Sequence, residues 1–251
     1  MKNVLIIGIK SFISKNFIDD FSYKFNFFST HKYFKKKSEK NFLKILDKNI
    51  KKNKIDLILN FAAINDNSFK AKNFNRILES NFYLPIALIK SANKHKIPLF
   101  LFLSKDMIEN NKLKNFYSIS KEMLRVYLDN IKLHCKIRIM NIDSIYGPYD
   151  LNKKRIFPSI FNNLYGQKKV SINLNQNKYF TYVKDLNKII YNLIFSKKNF
   201  IYKDIKSKKM NINLTFSLLK KKKTMSLKRK SLRYHSLFIT SDWYKKYYGK
   251  K

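Results

Sequence analysis

The sequence predicts an α/β chain built on a doubly wound parallel sheet, with a small C-terminal lobe. Short continuous apolar runs, among them Val4–Ile7 and Leu99–Leu103, read as strands buried on both faces. Amphipathic stretches at helical spacing separate them. Strand–helix alternation of this kind builds βαβ units, whose strands pair in parallel.

In chain order, Asn3-Val-Leu-Ile-Ile-Gly8 reads as the first strand and Ser11 to Phe21 as a helix. Lys24 to Phe28 is the second strand. Ser38 is a good N-cap for the helix Glu39 to Lys52, where Phe42, Ile45, Leu46 and Ile50 follow helical spacing. Ile55 to Asn60 is the third strand. A helix over about 75–95 carries Ile77, Phe82, Leu84, Leu88 and Ile89, and Pro85 interrupts or bends it. Pro98 opens the strand Leu99 to Leu103. A loop rich in Asn and Lys leads to the helix Tyr117 to Asn130, and Cys135 to Met140 is the next strand. Ile145-Tyr-Gly-Pro148 is a turn signal. A helix near Ile156 to Leu164, a strand near Val170 to Leu174 and a helix near Lys184 to Phe195 follow. After Phe200 the pattern weakens into lysine-rich segments, including Lys220–Lys223 and Lys228–Lys230, and a poorly defined lobe is expected.

With 251 residues, 45% of them hydrophobic, the chain can bury a sizeable core, which excludes the disordered class for most of it. The formal net charge of +38 invites a polyanion reading. The excess is lysine, accompanied by Asn, Ile, Phe and Tyr, a profile that A/T-rich codons yield without selection for nucleic acid. Arg76, Arg125, Arg138, Arg155, Arg229 and Arg233 do not cluster, although base and phosphate forks favour arginine. A nucleic-acid partner is therefore not expected. Cys135 is the single cysteine and reads as a small buried residue, so no disulfide framework or thiolate zinc site forms within one chain. His31, His95, His134 and His235 have no i, i+4 pairing, and no metal site is expected. The apolar run Val4–Ile9 stops at Lys10, too short for a signal segment, and no run is long enough to cross a bilayer. The expected compartment is the cytoplasm.

Gly8-Ile-Lys-Ser11-Phe-Ile-Ser14 lies on the first strand–helix turn. A dinucleotide fingerprint puts glycines there, where backbone must turn tightly and approach a pyrophosphate above a helix N-terminus. Gly8 keeps the first glycine, while Ser11 and Ser14 stand at the other two places. Serine is small and its hydroxyl can donate to phosphate, but positive φ is costlier for it than for glycine. Gly8, Ser11, Phe12 and Ile13 are thus the first cofactor-binding candidates in a Rossmann-type core. The second strand ends in Ser29-Thr-His-Lys32 with no carboxylate for a ribose hydroxyl. Thr30 and Lys32 are the candidates there, and the cation tilts NAD versus NADP toward NADP. Further on, Tyr117 and Lys121 are four residues apart on one helix face. An ammonium beside a phenol favours the phenolate, which gives a proton-transfer group at neutral pH.

These stretches, in this order, resemble the extended short-chain dehydrogenase/reductase family, the NAD(P)-dependent nucleotide-sugar epimerases, dehydratases and reductases. Asp56-Leu-Ile-Leu-Asn-Phe-Ala-Ala63 is similar to the family's third-strand end, whose small residues, here Ala62 and Ala63, pass under the cofactor. Asn81 matches the Asn that begins the next helix. Leu101-Phe-Leu-Ser104 matches the strand that carries the active-site hydroxyl. Tyr117 to Lys121 matches its Tyr-x-x-x-Lys, Arg138 to Pro148 its next strand and Tyr-Gly-Pro turn, and Tyr182 to Asp185 a late segment near the sugar-nucleotide site.

The resemblance spans residues 1–195 and implies the following. A dinucleotide-binding core covers 1–145, with helix and strand returns to about 195. A trimmed, partly irregular substrate lobe covers 146–251. Tyr117 is the acid/base group on a sugar hydroxyl or carbonyl, and Lys121 holds the nicotinamide ribose and favours the phenolate. Ser104 binds the reacting oxygen, and the substrate is a nucleotide sugar, in surface-polysaccharide synthesis. One departure is specific. Ser104-Lys-Asp106 resembles the Ser-Thr-Asp of dehydrorhamnose-reductase-type members, so Lys105 stands where the hydroxyl belongs, and Ser104 serves only with a one-residue slip of the strand end. Together with the lost glycines, this leaves a second reading open, a degenerate member that binds dinucleotide or sugar nucleotide without turnover. A lysine-driven polyanion binder is the third. The resemblance also implies a homodimer, in which Met123, Leu124 and Tyr127 would pack; plain core burial explains those three equally well.

Overall fold

The computed structural model of the protein describes residues 1–30, 39–65, 71–105, 108–109, 112–113, 115–166, 170–224 and 234–249. His31, Lys32, Ser38, Asp106 and the run Lys228–Lys230 lie outside these. The chain opens with β1 (Lys2–Ile7), α1 (Phe12–Phe21), β2 (Phe25–Ser29), α2 (Glu39–Lys52) and β3 (Leu57–Asn60). Next come α3 (Ala71–Leu78), a π-helical turn (Glu79–Tyr83), α4 (Leu84–His95) and β4 (Leu99–Ser104). A short pair, β5 (Ile108–Glu109) and β6 (Lys112–Leu113), precedes α5 (Phe116–Asn130), β7 (Ile137–Ile142) and β8 (Ser144–Tyr146). The rest is α6 (Ile156–Tyr165), β9 (Asn177–Tyr182), α7 (Val183–Ile194), β10 (Phe200–Asp204), β11 (Lys208–Asn211), α8 (Ile212–Thr224) and α9 (His235–Gly249).

Six strands form one sheet in the order β10-β7-β4-β3-β1-β2, and every pair in it is parallel. A doubly wound Rossmann-type sheet is therefore what the apolar runs encode. β4 shows why: Leu99, Leu101 and Leu103 face one layer, while Phe100 and Phe102 face the other. A strand covered on both sides needs apolar residues at every position, not alternate ones. The first layer gathers α2, α4 and α5 through Leu46, Leu88 and Leu124. The second gathers α1, α6, α7 and α9 through Phe17, Phe161, Ile190 and Tyr244.

The chain runs from β1 to β2 on one side and returns through β3 to the other side of β1. In open α/β sheets the crevice at the strands' carboxyl ends at such a switch point is where ligands bind. Here it lies between the ends of β1 and β3.

Several elements depart from the sequence expectation. Val170 to Leu174 forms no strand; Ile172 and Leu174 pack on the core from an irregular segment. The strand comes later, as β9, which joins β8 and β11 in a second three-stranded sheet. Its first residues are Asn and Lys and lie mostly exposed, so the apolar run nearby drew the assignment. β10 extends the main sheet beyond residue 195, and as an edge strand it keeps Phe200 and Tyr202 about half exposed, without a buried apolar run to mark it. After Phe200, α8 and α9 are helices. α9 buries Leu237, Phe238 and Tyr244, and Tyr244 stacks on Phe161 with ring centroids 4.4 Å apart.

Arg138, the second residue of β7, is 1% exposed. Its guanidinium donates to the carbonyls of Asn199 at 2.9 Å and Ser196 at 3.0 Å. It also reaches Ile137 at 3.2 Å and Leu193 at 3.5 Å. It thereby gathers carbonyls at the C-terminal end of α7, where a cation is favoured, and leads the chain into β10. Arg138→Met should strip the guanidinium bonds from the Asn199 and Ser196 carbonyls, leaving Asn199 O only its backbone bond from Ile137 N, and lower stability by about 3 kcal/mol, since bonds to charged groups are worth ~1.5–3 kcal/mol each. Chemical denaturation reads it; an unchanged midpoint would show the loop holds without the guanidinium.

Candidate active site

The β1–α1 turn sits at the switch point. Gly8 has φ +82°, and a Cβ on it would lie 2.7 Å from the Ala62 nitrogen and 2.8 Å from its Cα. Two backbones meet there, so only glycine fits, and the end of β3 forms the turn's other wall. Ser11 N donates back to Gly8 O at 2.9 Å.

The two serines at the glycine positions close on each other. Ser14 Oγ donates to Gly8 O at 2.8 Å. Ser11 Oγ accepts from Ser14 N at 3.1 Å and lies 2.9 Å from Ser14 Oγ. Ser14 has one hydroxyl proton and has given it to Gly8, so the proton between the two oxygens belongs to Ser11. Ser11 is the N-cap of α1 and its hydroxyl is committed inside the turn. The amides of Phe12 and Ile13, the first two of the helix, have no acceptor within the helix. Together with the helix dipole and a first turn free of acidic residues, they are the anion donors this turn offers.

The Arg155 guanidinium lies over the Phe12 ring, 5.0 Å from its centroid, held by Asp150 at 2.8 Å and Ile145 O at 2.7 Å. Buried Asn16 ties α1 to the Tyr-Gly-Pro turn by donating to Pro148 O at 2.9 Å. Thr30 is half-buried just past β2; Lys32 lies outside the described residues.

The ledge after β3 is built by two asparagines. Asn60 Oδ1 accepts from Ala62 N at 3.1 Å. Ala62 is half-buried and Ala63 exposed. Asn81, fully buried in the π-helical turn, accepts from Ile64 N at 2.8 Å and donates to Ile64 O at 3.0 Å. Its second amide proton goes to Ser120 Oγ at 3.1 Å. The π-turn just ahead of Pro85 is how the chain resolves the interruption expected in the 75–95 helix; such turns recur at functional sites.

Tyr117 is the second residue of α5, whose N-cap Asn115 accepts from Ser118 N at 3.0 Å. Half-buried Tyr117 sits at the positive end of the helix dipole, which favours a phenolate. Lys121 is 4% exposed. Its ammonium donates to Phe102 O at 2.8 Å and lies 5.9 Å from the Tyr117 ring centroid. Burial pulls its pKa down to about 8. Tyr117 and Lys121 thus share one helix end beside the carboxyl edge of β4.

Ser104 closes β4 in unbroken register, paired with Ile142. Strand alternation groups it with Phe100 and Phe102, on the layer away from α5. Lys105 N donates to Ile142 O at 3.0 Å. The Lys105 ammonium reaches across β7 to Ile205 O at 2.6 Å, with Asp143 3.9 Å away. Leu124 of α5 is a core residue, 1% exposed, while Met123 and Tyr127 are half-buried. Asn115, Ser120 and Arg155 were not among the sequence candidates. An Asn just before a helix is a capping signal, so Asn115 was legible; the other two act through contacts that spacing does not reveal.

Among the described residues no helix is long and apolar enough to cross a membrane, and no cluster of potential metal ligands occurs. In comparisons with known proteins, no curated sequence matches. Among solved structures, UDP-glucose 4-epimerase from Thermotoga maritima, bound to UDP-glucose, superposes with a TM-score of 0.78 at 15% identity, over 98% of this chain and 99% of that one. dTDP-4-dehydrorhamnose reductase from Bacillus anthracis, in complex with NADP, gives 0.73 at 16% identity, over 90% and 82%. UDP-glucuronic acid 4-epimerase from Bacillus cereus, in complex with NAD, gives 0.75 at 16% identity, over 98% and 99%. At these identities the likeness is one of fold. The model of the NAD dependent epimerase/dehydratase family matches residues 4–204, and this chain belongs to that family.

Proposed function

We propose that the protein is an NAD(P)-dependent oxidoreductase that acts on a nucleotide sugar as an epimerase, dehydratase or reductase, with Tyr117 as its acid/base group. The observation that carries this is the buried Lys121 ammonium, 5.9 Å from the Tyr117 ring at a helix N-terminus. A buried ammonium whose acceptor among the described residues is one carbonyl has donors left for hydroxyls such as those of a ribose. The residues present fit a dinucleotide. The Phe12 and Ile13 amides suit its pyrophosphate, Gly8 lets the backbone come close, and the Ala62–Ala63 ledge has no bulky side chain. Thr30 and Lys32 are the proposed contacts at the adenine ribose, where a cation favours NADP.

When bound, the dinucleotide supplies the hydride chemistry. Tyr117 removes a proton from, or returns one to, a sugar oxygen. Lys121 and the α5 dipole favour the phenolate, and Asn115 holds the first turn in place. Ser104 is proposed to hydrogen-bond the reacting oxygen from the end of β4, where strand alternation groups it with Phe100 and Phe102. Solved relatives in complex with UDP-glucose and with NADP support the substrate class and the cofactor class. A role in surface-polysaccharide synthesis and assembly as a homodimer rest on the resemblance alone.

Titration with NAD and NADP, followed by absorbance assays with UDP- and dTDP-sugars, tests this reading. Tight binding with hydride transfer is the expected result. Binding without transfer on any sugar would leave the dinucleotide-binding module, the reading favoured by the Lys105 ammonium bound at Ile205 O. Lys121→Ala should weaken dinucleotide binding and lower turnover by about 10-fold or more each, because it removes a ribose donor and the phenolate's neighbour together. An effect on neither would leave Lys121 a structural residue.

A further inference from the structure

We propose that Ser120 is a positioning residue through which occupancy of the ledge after β3 is felt at the Tyr117 phenol. The inference rests on the reading of Tyr117 as the acid/base group and adds to it how the group is held. Ser120 is fully buried. Its hydroxyl donates to the carbonyl of Tyr117 at 2.7 Å and accepts from Asn81 Nδ2 at 3.1 Å. Asn81 in turn grips both backbone groups of Ile64, at 2.8 and 3.0 Å.

Proton counting leaves one arrangement. Ser120 has a single hydroxyl proton, and the Tyr117 carbonyl can only accept, so the Ser120 oxygen must receive from Asn81. The Asn81 amide cannot be flipped, because its NH2 would then face the Ile64 N–H. Each bond therefore fixes the next, from backbone beside Ala62 and Ala63 to the backbone of Tyr117. The far side of the turn is held by Asn115, which accepts from Ser118 N at 3.0 Å. Asn115 Oδ1 spends itself within that turn, on the Ser118 amide and hydroxyl. Ser120 is thus the link between the wall that would carry the dinucleotide and the turn that carries the phenol.

The test reads Tyr117 directly, without turnover. Carbon-13 labelling of the tyrosine rings, with the Tyr117 signal assigned by Tyr117→Phe, gives its titration with and without NAD or NADP. In the unaltered protein the dinucleotide should shift the Tyr117 pKa by about one unit or more, the size a nearby charge produces. In Ser120→Ala that shift should shrink to less than half. Ser118→Ala removes another buried hydroxyl of the same turn and should keep the shift, which separates the link from general loosening. Ser120→Thr, which restores a hydroxyl, should recover it. An undiminished shift in Ser120→Ala, or equal loss in Ser118→Ala, overturns the proposal. Failure of the unaltered protein to bind any dinucleotide overturns instead the functional reading on which it rests.

Discussion

Tyr117→Phe is expected to lower turnover by about 10²-fold or more while dinucleotide affinity stays within about threefold. The phenylalanine keeps the ring, and with it the contact to the Lys121 ammonium 5.9 Å away. It removes only the hydroxyl, the group proposed to carry the proton. The pH dependence follows from the same pair. Burial lowers Lys121 from 10.5 to about 8, so with no dinucleotide bound the ammonium is half lost at about pH 8. The rate constant kcat/KM, which reports free-enzyme ionisations, should therefore carry a descending limb near pH 8 that belongs jointly to phenol and amine.

Stability runs the other way. The folded pKa lies below the unfolded one, so the unfolded chain holds the proton more tightly. Stability then rises as pH climbs from about 8 to 10.5, and Lys121→Met should abolish that increment. Steady-state kinetics and denaturation across pH measure both. Full turnover in Tyr117→Phe would take the phenol out of the mechanism.

Gly8→Val is expected to abolish dinucleotide binding and to destabilise the fold by about 3 kcal/mol or more. Two effects add. A β-branched residue is strained at φ +82°, and its Cβ would meet Ala62 backbone at 2.7 Å. Backbone on both sides cannot yield as a flexible side chain would, so the ends of β1 and β3 must part. That parting opens the crevice at the switch point and turns the Phe12 and Ile13 amides off their common direction. Calorimetric titration and thermal unfolding should show the two losses together. Native affinity in Gly8→Val would mean that the dinucleotide does not approach this turn.

The serines at Ser11 and Ser14 show how far a motif can be read. From the sequence they are small substitutes for glycine with hydroxyls free for phosphate. In the fold those hydroxyls are spent on Gly8 and on each other, and the helix amides are left as donors. Small size was legible; the direction of a proton was not. Lys105 is similar. Its position at the strand end follows from the order of residues, but its reach across β7 to Ile205 O depends on which strand lies two places away in the sheet.

The chain alone determined the parallel sheet, because strands covered on both faces must be apolar on both, as β4 is from Leu99 to Leu103. It also determined the pairing of Tyr117 with Lys121, because four residues make one helical turn. Both are local rules, readable from composition and spacing. Only the folded molecule decided that Lys121 is buried against Phe102 O, that Asn81 joins Ile64 to Ser120, and that Arg138 closes the end of α7. Those contacts join residues 17 to 61 positions apart. Their partners become neighbours only after the helices pack on the sheet, and desolvation there gives each hydrogen bond its weight.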